Sequence, residues 1–181
     1  MLFAAAILIV ISLSFQVFPI ALGLSRIDLK NTIVSVLILS LSQTVFFLLG
    51  YYAGEQFMHL LDNYKSTILF AGFFLIGIRM IMEVLRIRKG ERTFLISDKN
   101  GEVLAAMAHS MNTFLAALLL YFIPVNKLWL AIILFLSSMV VAVGGIMAKP
   151  ERLSFTFASL LYLMGGILII VSSLYFIFAA L

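Results

Sequence analysis

The chain has 181 residues, 64% of them hydrophobic and only 11% charged, with a mean hydropathy of +1.21. Globular domains run nearer half apolar and about a quarter charged, so this composition excludes a soluble enzyme or soluble binding module. The net charge of +4 does not point to nucleic acid, because in a membrane protein excess Lys and Arg record orientation; with no cysteine, disulfides and thiolate metal sites are excluded as well.

A helix needs about 20 apolar residues to cross the lipid core. Six such runs follow one another: 2–24, 33–53, 66–86, 103–123, 127–147 and 155–180. The first has no Lys or Arg before it and exceeds the roughly 7–15 apolar residues of a signal core, so it is expected to remain as a span. It carries Ser14 and, a little past its middle, Gln16. Pro19 follows, and its missing N–H frees the carbonyl of Phe15, which either faces an internal cavity beside Gln16 or marks no more than a kink in the helix. The second run has Gln43 at its centre, between Ser42 and Thr44. In the third, Arg79 and Glu83 are four residues apart and can pair on one helix face, as a structural ion pair or inner gate. A basic, polar stretch, 87–102, comes next. It ends on a Lys-Asn-Gly turn signal at 99–101 and reads as a solvated connector. In the fourth run His109 precedes Asn112 by one turn, so both can share a face; an intramembrane His either relays protons or ligates metal, or serves as a hydrogen-bonded structural residue. Ser138 lies near the middle of the fifth.

The basic residues sort by connection. Nine (Arg26, Lys30, Arg86, Arg88, Lys89, Arg92, Lys99, Lys149 and Arg152) flank the ends after runs one, three and five; two (Lys65 and Lys127) flank the other side. The positive-inside rule then puts the loop 87–102 in the cytoplasm and both termini outside.

The two halves resemble each other. Ser14-Phe15-Gln16-Val17-Phe18 matches Ser110-Met111-Asn112-Thr113-Phe114 at an offset of 96. Leu41-Ser42, Val45, Gly50 and Ala53 match Leu136-Ser137, Val140, Gly145 and Ala148 at an offset of 95. Phe74–Gly77 (FLIG) and Tyr162–Gly165 (YLMG) complete the series in runs three and six. Repeats with an odd number of spans insert in opposite senses, the plan of many secondary transporters with a substrate site near the midplane. The expected fold is therefore an all-α membrane protein of six transmembrane helices, built as two inverted three-helix repeats, 1–86 and 103–181, joined by 87–102.

Polar side chains in hydrocarbon are costly and few. Gln16, Gln43, Asn112 and Ser138 fall at similar depth in four helices, with Gln16 matching Asn112 and Gln43 matching Ser138 in the repeat. Together with Ser14 and His109 they form the candidate substrate site. The plainer alternative is interhelical hydrogen bonding, worth about 0.6–2 kcal/mol per contact.

The stretch GIRMIMEVLR (77–86) resembles the Gly-x-Arg-Met-Ile-x-Glu segment of the MntP-type manganese efflux pumps. SLSFQVFPIALG (12–23) and AHSMNTFLAALL (108–119) are similar to that family's helix-one and helix-four motifs. The resemblance spans the whole chain and implies export of Mn²⁺ across a bacterial cytoplasmic (inner) membrane through a midplane site. It also implies that Gln16, Gln43 and Asn112 stand where the family has acids, and so are the candidate ligands of the transported metal. Amide oxygens can ligate a hard ion such as Mn²⁺, but they neither neutralise its charge in a low dielectric nor titrate. Divalent cation efflux is the leading expectation. The alternatives are a neutral or zwitterionic solute on the same scaffold, and a non-transporting degenerate relative. An enzyme is not expected, since no nucleophile–base pair, metal-binding His-Glu motif or phosphate loop is present. The expected partners are the lipid bilayer and a small ion or solute, with no resident cofactor; the oligomeric state is left open.

Overall fold

The computed structural model describes residues 2–24, 29–88, 99–148 and 152–178. Among them the chain forms helices α1 (Leu2–Ser14), α2 (Val17–Gly23), α3 (Leu29–Phe57), α4 (Lys65–Arg88), α5 (Lys99–Leu120), α6 (Lys127–Met147) and α7 (Arg152–Phe178), with a 3₁₀ segment, Met58–Tyr64, between α3 and α4. There is no strand among the described residues.

Five helical stretches are long and apolar enough to cross a membrane: Leu2–Gly23, Asn31–Leu85, Asn100–Leu120, Lys127–Met147 and Leu153–Phe176. The second has 55 residues. Straight, it would measure about 80 Å, far beyond a hydrocarbon core of about 30 Å. It is not straight. Gly54, just before the 3₁₀ segment, lies against Leu118 and Tyr121 of the α5 end, and Gly72, beyond the segment, lies against Leu119. Two positions 18 residues apart in sequence thus meet neighbouring residues of one helix, so the chain doubles back between α3 and α4.

The first apolar run is broken into α1 and α2 at Phe15 and Gln16. Pro19 explains the break, because it cannot donate to Phe15. The expectation that the Phe15 carbonyl opens toward a cavity is corrected: it accepts from the Phe18 N–H at 3.3 Å, beside Phe15 N–H to Ser12 O at 3.3 Å and Gln16 N–H to Leu13 O at 3.4 Å. These bonds between residues three apart are the 3₁₀ pattern, which satisfies the orphaned group by tightening the turn. A second correction concerns 99–101. The turn signal there is overridden, and helix α5 begins at Lys99, so Glu102 sits in its first turn instead of closing a loop. The rest of the expected connector, 89–98, lies outside the described residues, as do Arg26 and Lys149. Helix α6 starts as run five predicts. Pro124 precedes it, and the Asn126 side chain caps it by accepting from the Leu128 N–H at 2.9 Å.

Helix α4 packs along α7, α3 along α5 and α6, and α1 and α2 against α6 and α7. One apolar cluster gathers Ile9, Leu13, Phe47, Phe73, Met80, Leu120, Leu134 and Tyr162; a second holds Val17, Ile20, Leu39, Ala105, Ala106 and Ala142. Lipid tails are as apolar as Leu, so helices associate through close backbone contact at small residues. A Cβ on Gly50 would stand 2.2 Å from the Phe114 carbonyl oxygen, and one on Gly145 would stand 2.9 Å from that of Phe18. Leu41, Val45, Leu49, Leu75, Leu85 and Val140 are exposed, as suits faces turned to lipid. Trp129, the chain's one tryptophan, is 61% exposed at the start of α6.

Candidate functional site

The break between α1 and α2 leaves Gln16 in the interior, where it is 0% exposed; Gln43 of α3 and Asn112 of α5 are 2% and 3% exposed. The three side chains meet. The Gln16 amide donates to Gln43 Oε1 at 3.2 Å and to the Thr113 hydroxyl at 2.7 Å. Asn112 Nδ2 donates to Gln16 Oε1 at 3.2 Å. Thr113 Oγ1 donates in turn to Gln43 Oε1. Three elements are tied together by this network, which consists only of neutral amides and a hydroxyl. Each buried amide exchanges water for a partner inside, the condition for burying a polar group without a large cost.

Two buried oxygens stay unmatched among the described residues, Asn112 Oδ1 and Ser138 Oγ. Ser138 is fully buried on α6. Ser14, also fully buried, donates to the Ile11 carbonyl on its own helix at 2.7 Å, a local bond that does not join the cluster. His109 is buried one turn before Asn112 on α5. Among the described residues no three His, Cys, Asp or Glu side chains gather into a metal-binding group.

Arg79 and Glu83 form a separate unit. Arg79 Nε lies 3.8 Å from Glu83 Oε1, with the Arg side chain 48% exposed and the Glu 8%. The buried carboxylate also accepts from the Tyr162 hydroxyl of α7. Glu83 therefore ties α4 to α7 as much as it pairs with Arg79. Tyr162 is a second partner of Glu83 that the sequence did not suggest.

Thr113 bridges Gln16 and Gln43; the sequence places it among the polar residues around the amide layer but does not give its orientation. Two features escaped the sequence reading. Glu102 is 3% exposed and its Oε1 has no partner among the described residues. A clasp joins α3 to α6: Lys127 Nζ bonds Glu55 Oε1 at 2.7 Å and stands 4.2 Å from the centre of the Tyr52 ring and 5.5 Å from that of Tyr51. The aromatic pair followed by Glu55 one turn later was the available signal for a cation partner.

Compared with protein families, residues 26–177 match the model of the family Mntp, described as "Putative manganese efflux pump". Comparison with curated proteins and with solved structures gave no match.

Proposed function

The chain belongs to the Mntp family of manganese efflux pumps, and on that premise we propose that it is a secondary transporter that exports a divalent cation through a midplane site between two inverted three-helix repeats. It is a multi-pass membrane protein of a transporter family; the bacterial cytoplasmic membrane, six spans and external termini belong to the proposal. The doubling back at Met58–Tyr64 supports counting α3 and α4 as two spans, which makes six.

One observation carries the repeat. Gly50 meets the Phe114 carbonyl, and Gly145 meets the Phe18 carbonyl. Gly50 and Gly145 are 95 residues apart, Phe18 and Phe114 96. The same contact is thus made twice by residues that the repeat relates. Exchanging the halves swaps α3 with α6, α4 with α7, and α5 with the α1–α2 pair. The packing follows: α3 on α5 becomes α6 on α1 and α2, α5 on α4 becomes α1 on α7, and α4–α7 and α3–α6 map onto themselves. Gln16 and Asn112 are repeat counterparts that hydrogen-bond each other, the contact expected where a two-fold axis passes. Inverted-repeat transporters bind substrate at that interface, commonly beside a discontinuous helix, and α1–α2 is discontinuous there.

The neutrality of the cluster favours a second reading, a neutral or zwitterionic solute moved by the same scaffold. Amide and hydroxyl groups suit such a solute without counter-charge. Liposomes holding the purified protein separate the two. Under the first reading Mn²⁺ flux exceeds that of empty liposomes, and the double change Gln16→Ala, Asn112→Ala abolishes it. Absent Mn²⁺ flux with saturable uptake of a neutral solute overturns the first reading in favour of the second; no flux of either kind overturns both.

A further inference from the structure

Two buried carboxylates stand out among the described residues, and they differ. Glu83 is engaged by Tyr162 and Arg79. Glu102 keeps an oxygen, Oε1, without a hydrogen-bond partner among the described residues, although it is 3% exposed. A carboxylate withdrawn from water with an unused oxygen is one of the costliest groups a fold can hold.

Its position on α5 adds a direction. Glu102, Ala105, Ala106, His109, Asn112, Thr113 and Ala116 are all buried. At 100° per residue they form one continuous face of the helix. That face begins at Glu102 and reaches the Gln16–Gln43–Asn112–Thr113 cluster about 15 Å along the axis. Its small side chains, Ala105 and Ala106, pack with Val36 and Leu39 of α3, and α3 adds buried Ser35 and Ser40 along the same stretch. The buried side-chain polar atoms left without a partner among the described residues are Glu102 Oε1, Asn112 Oδ1 and Ser138 Oγ. All three are oxygens. Oxygen donors, one of them charged, are the ligand chemistry of a hard divalent cation, and the cluster itself lacks the charge such an ion needs.

We infer that Glu102 is a cation-accepting site, the carboxylate that takes a hard divalent ion at the base of the buried α5 face and delivers it toward the amide cluster. The inference rests on the transport reading for its purpose, but binding at Glu102 can be measured without transport.

The test uses Mn²⁺ alone as the probe, followed by loss of the free-ion electron paramagnetic resonance signal on titrating the full-length protein in lipid nanodiscs. The expected result is saturable binding that Glu102→Gln weakens about tenfold or more and that Glu102→Asp largely retains, since ligand charge sets affinity in such sites. Equal binding by the wild type and Glu102→Gln overturns the inference, and so does a wild type that does not bind Mn²⁺. If Glu102→Gln does not fold, a fluorine label on Val103→Cys in the otherwise cysteine-free chain locates the ion. Paramagnetic broadening at that label, and not at one on Asn63→Cys in the 3₁₀ segment, supports the site; equal broadening at both overturns it. Liposome flux keeps the two proposals apart. Glu102-dependent binding without Mn²⁺ flux defeats the transport reading and leaves the site, whereas flux unaltered by Glu102→Gln defeats the site and leaves the reading.

Discussion

Thr113 is the smallest member of the amide cluster and the one with two roles, accepting from Gln16 and donating to Gln43. Replacing it by Val keeps the shape and removes the hydroxyl, so a buried Gln16 N–H loses its 2.7 Å partner. The expected cost is about 1–3 kcal/mol, read as a lowered thermal midpoint in detergent. Gln43→Leu should cost a similar amount, and the double change should fall short of the sum, because both singles break the same Thr113–Gln43 bond; strict additivity would mean that the network is not coupled. Gln16, Gln43 and Asn112 were legible in the sequence because an amide in the middle of a 20-residue apolar run has few benign explanations. Glu102, the Glu55–Lys127 clasp and the bridging orientation of Thr113 were not. Their roles depend on how each helix is rotated about its axis, and a helix apolar all round carries no periodicity from which to read that rotation.

Helix contacts in this fold are set by where a side chain is missing. A methyl group on Gly50 would meet the Phe114 carbonyl oxygen at 2.2 Å, and one on Gly145 would meet the Ala21 Cβ at 2.6 Å, whereas beside Gly144 the nearest atom is 3.8 Å away on the Phe18 ring. Gly50→Ala and Gly145→Ala should therefore destabilise by about 1–3 kcal/mol, the usual range for overpacking, while Gly144→Ala should be tolerated. Thermal unfolding of the three variants checks this, and equal midpoints for all three would contradict the packing described. The break between α1 and α2 yields a different expectation. Pro19→Ala restores the missing donor, so the segment can rejoin as one helix with a gain of up to about 3 kcal/mol. Rejoining would also turn Gln16 away from Gln43, so Mn²⁺ flux should fall as the thermal midpoint rises. The all-helical character and the ends of most helices were visible in the sequence to within a few residues. The place of the break was not, because Pro19 announces a disturbance without saying whether the helix bends or parts.

At the scale of the molecule, the nine-to-two division of basic residues predicts orientation, and the cysteine-free chain makes the test clean. A cysteine at Asn63, exposed in the 3₁₀ segment, should react with an impermeant reagent added to intact cells, and one at Asn100, exposed at the start of α5, should not. The reverse pattern would invert the topology. The proposed internal repeat shows at a handful of aligned positions where a Gly is held against a Phe carbonyl, Gly50 at Phe114 and Gly145 at Phe18, and where a bulkier residue would clash. The lipid-facing positions between them accept any apolar residue and carry no such record. One consequence lies in Trp129. A lone indole, exposed beside Lys127 where α6 begins, belongs at the level of the headgroups, so the protein carries its own optical depth gauge. Its emission should be quenched more by lipids brominated near the glycerol than by lipids brominated near the chain ends, and any tilt of α6 during a transport cycle would register as a colour shift without a single added dye.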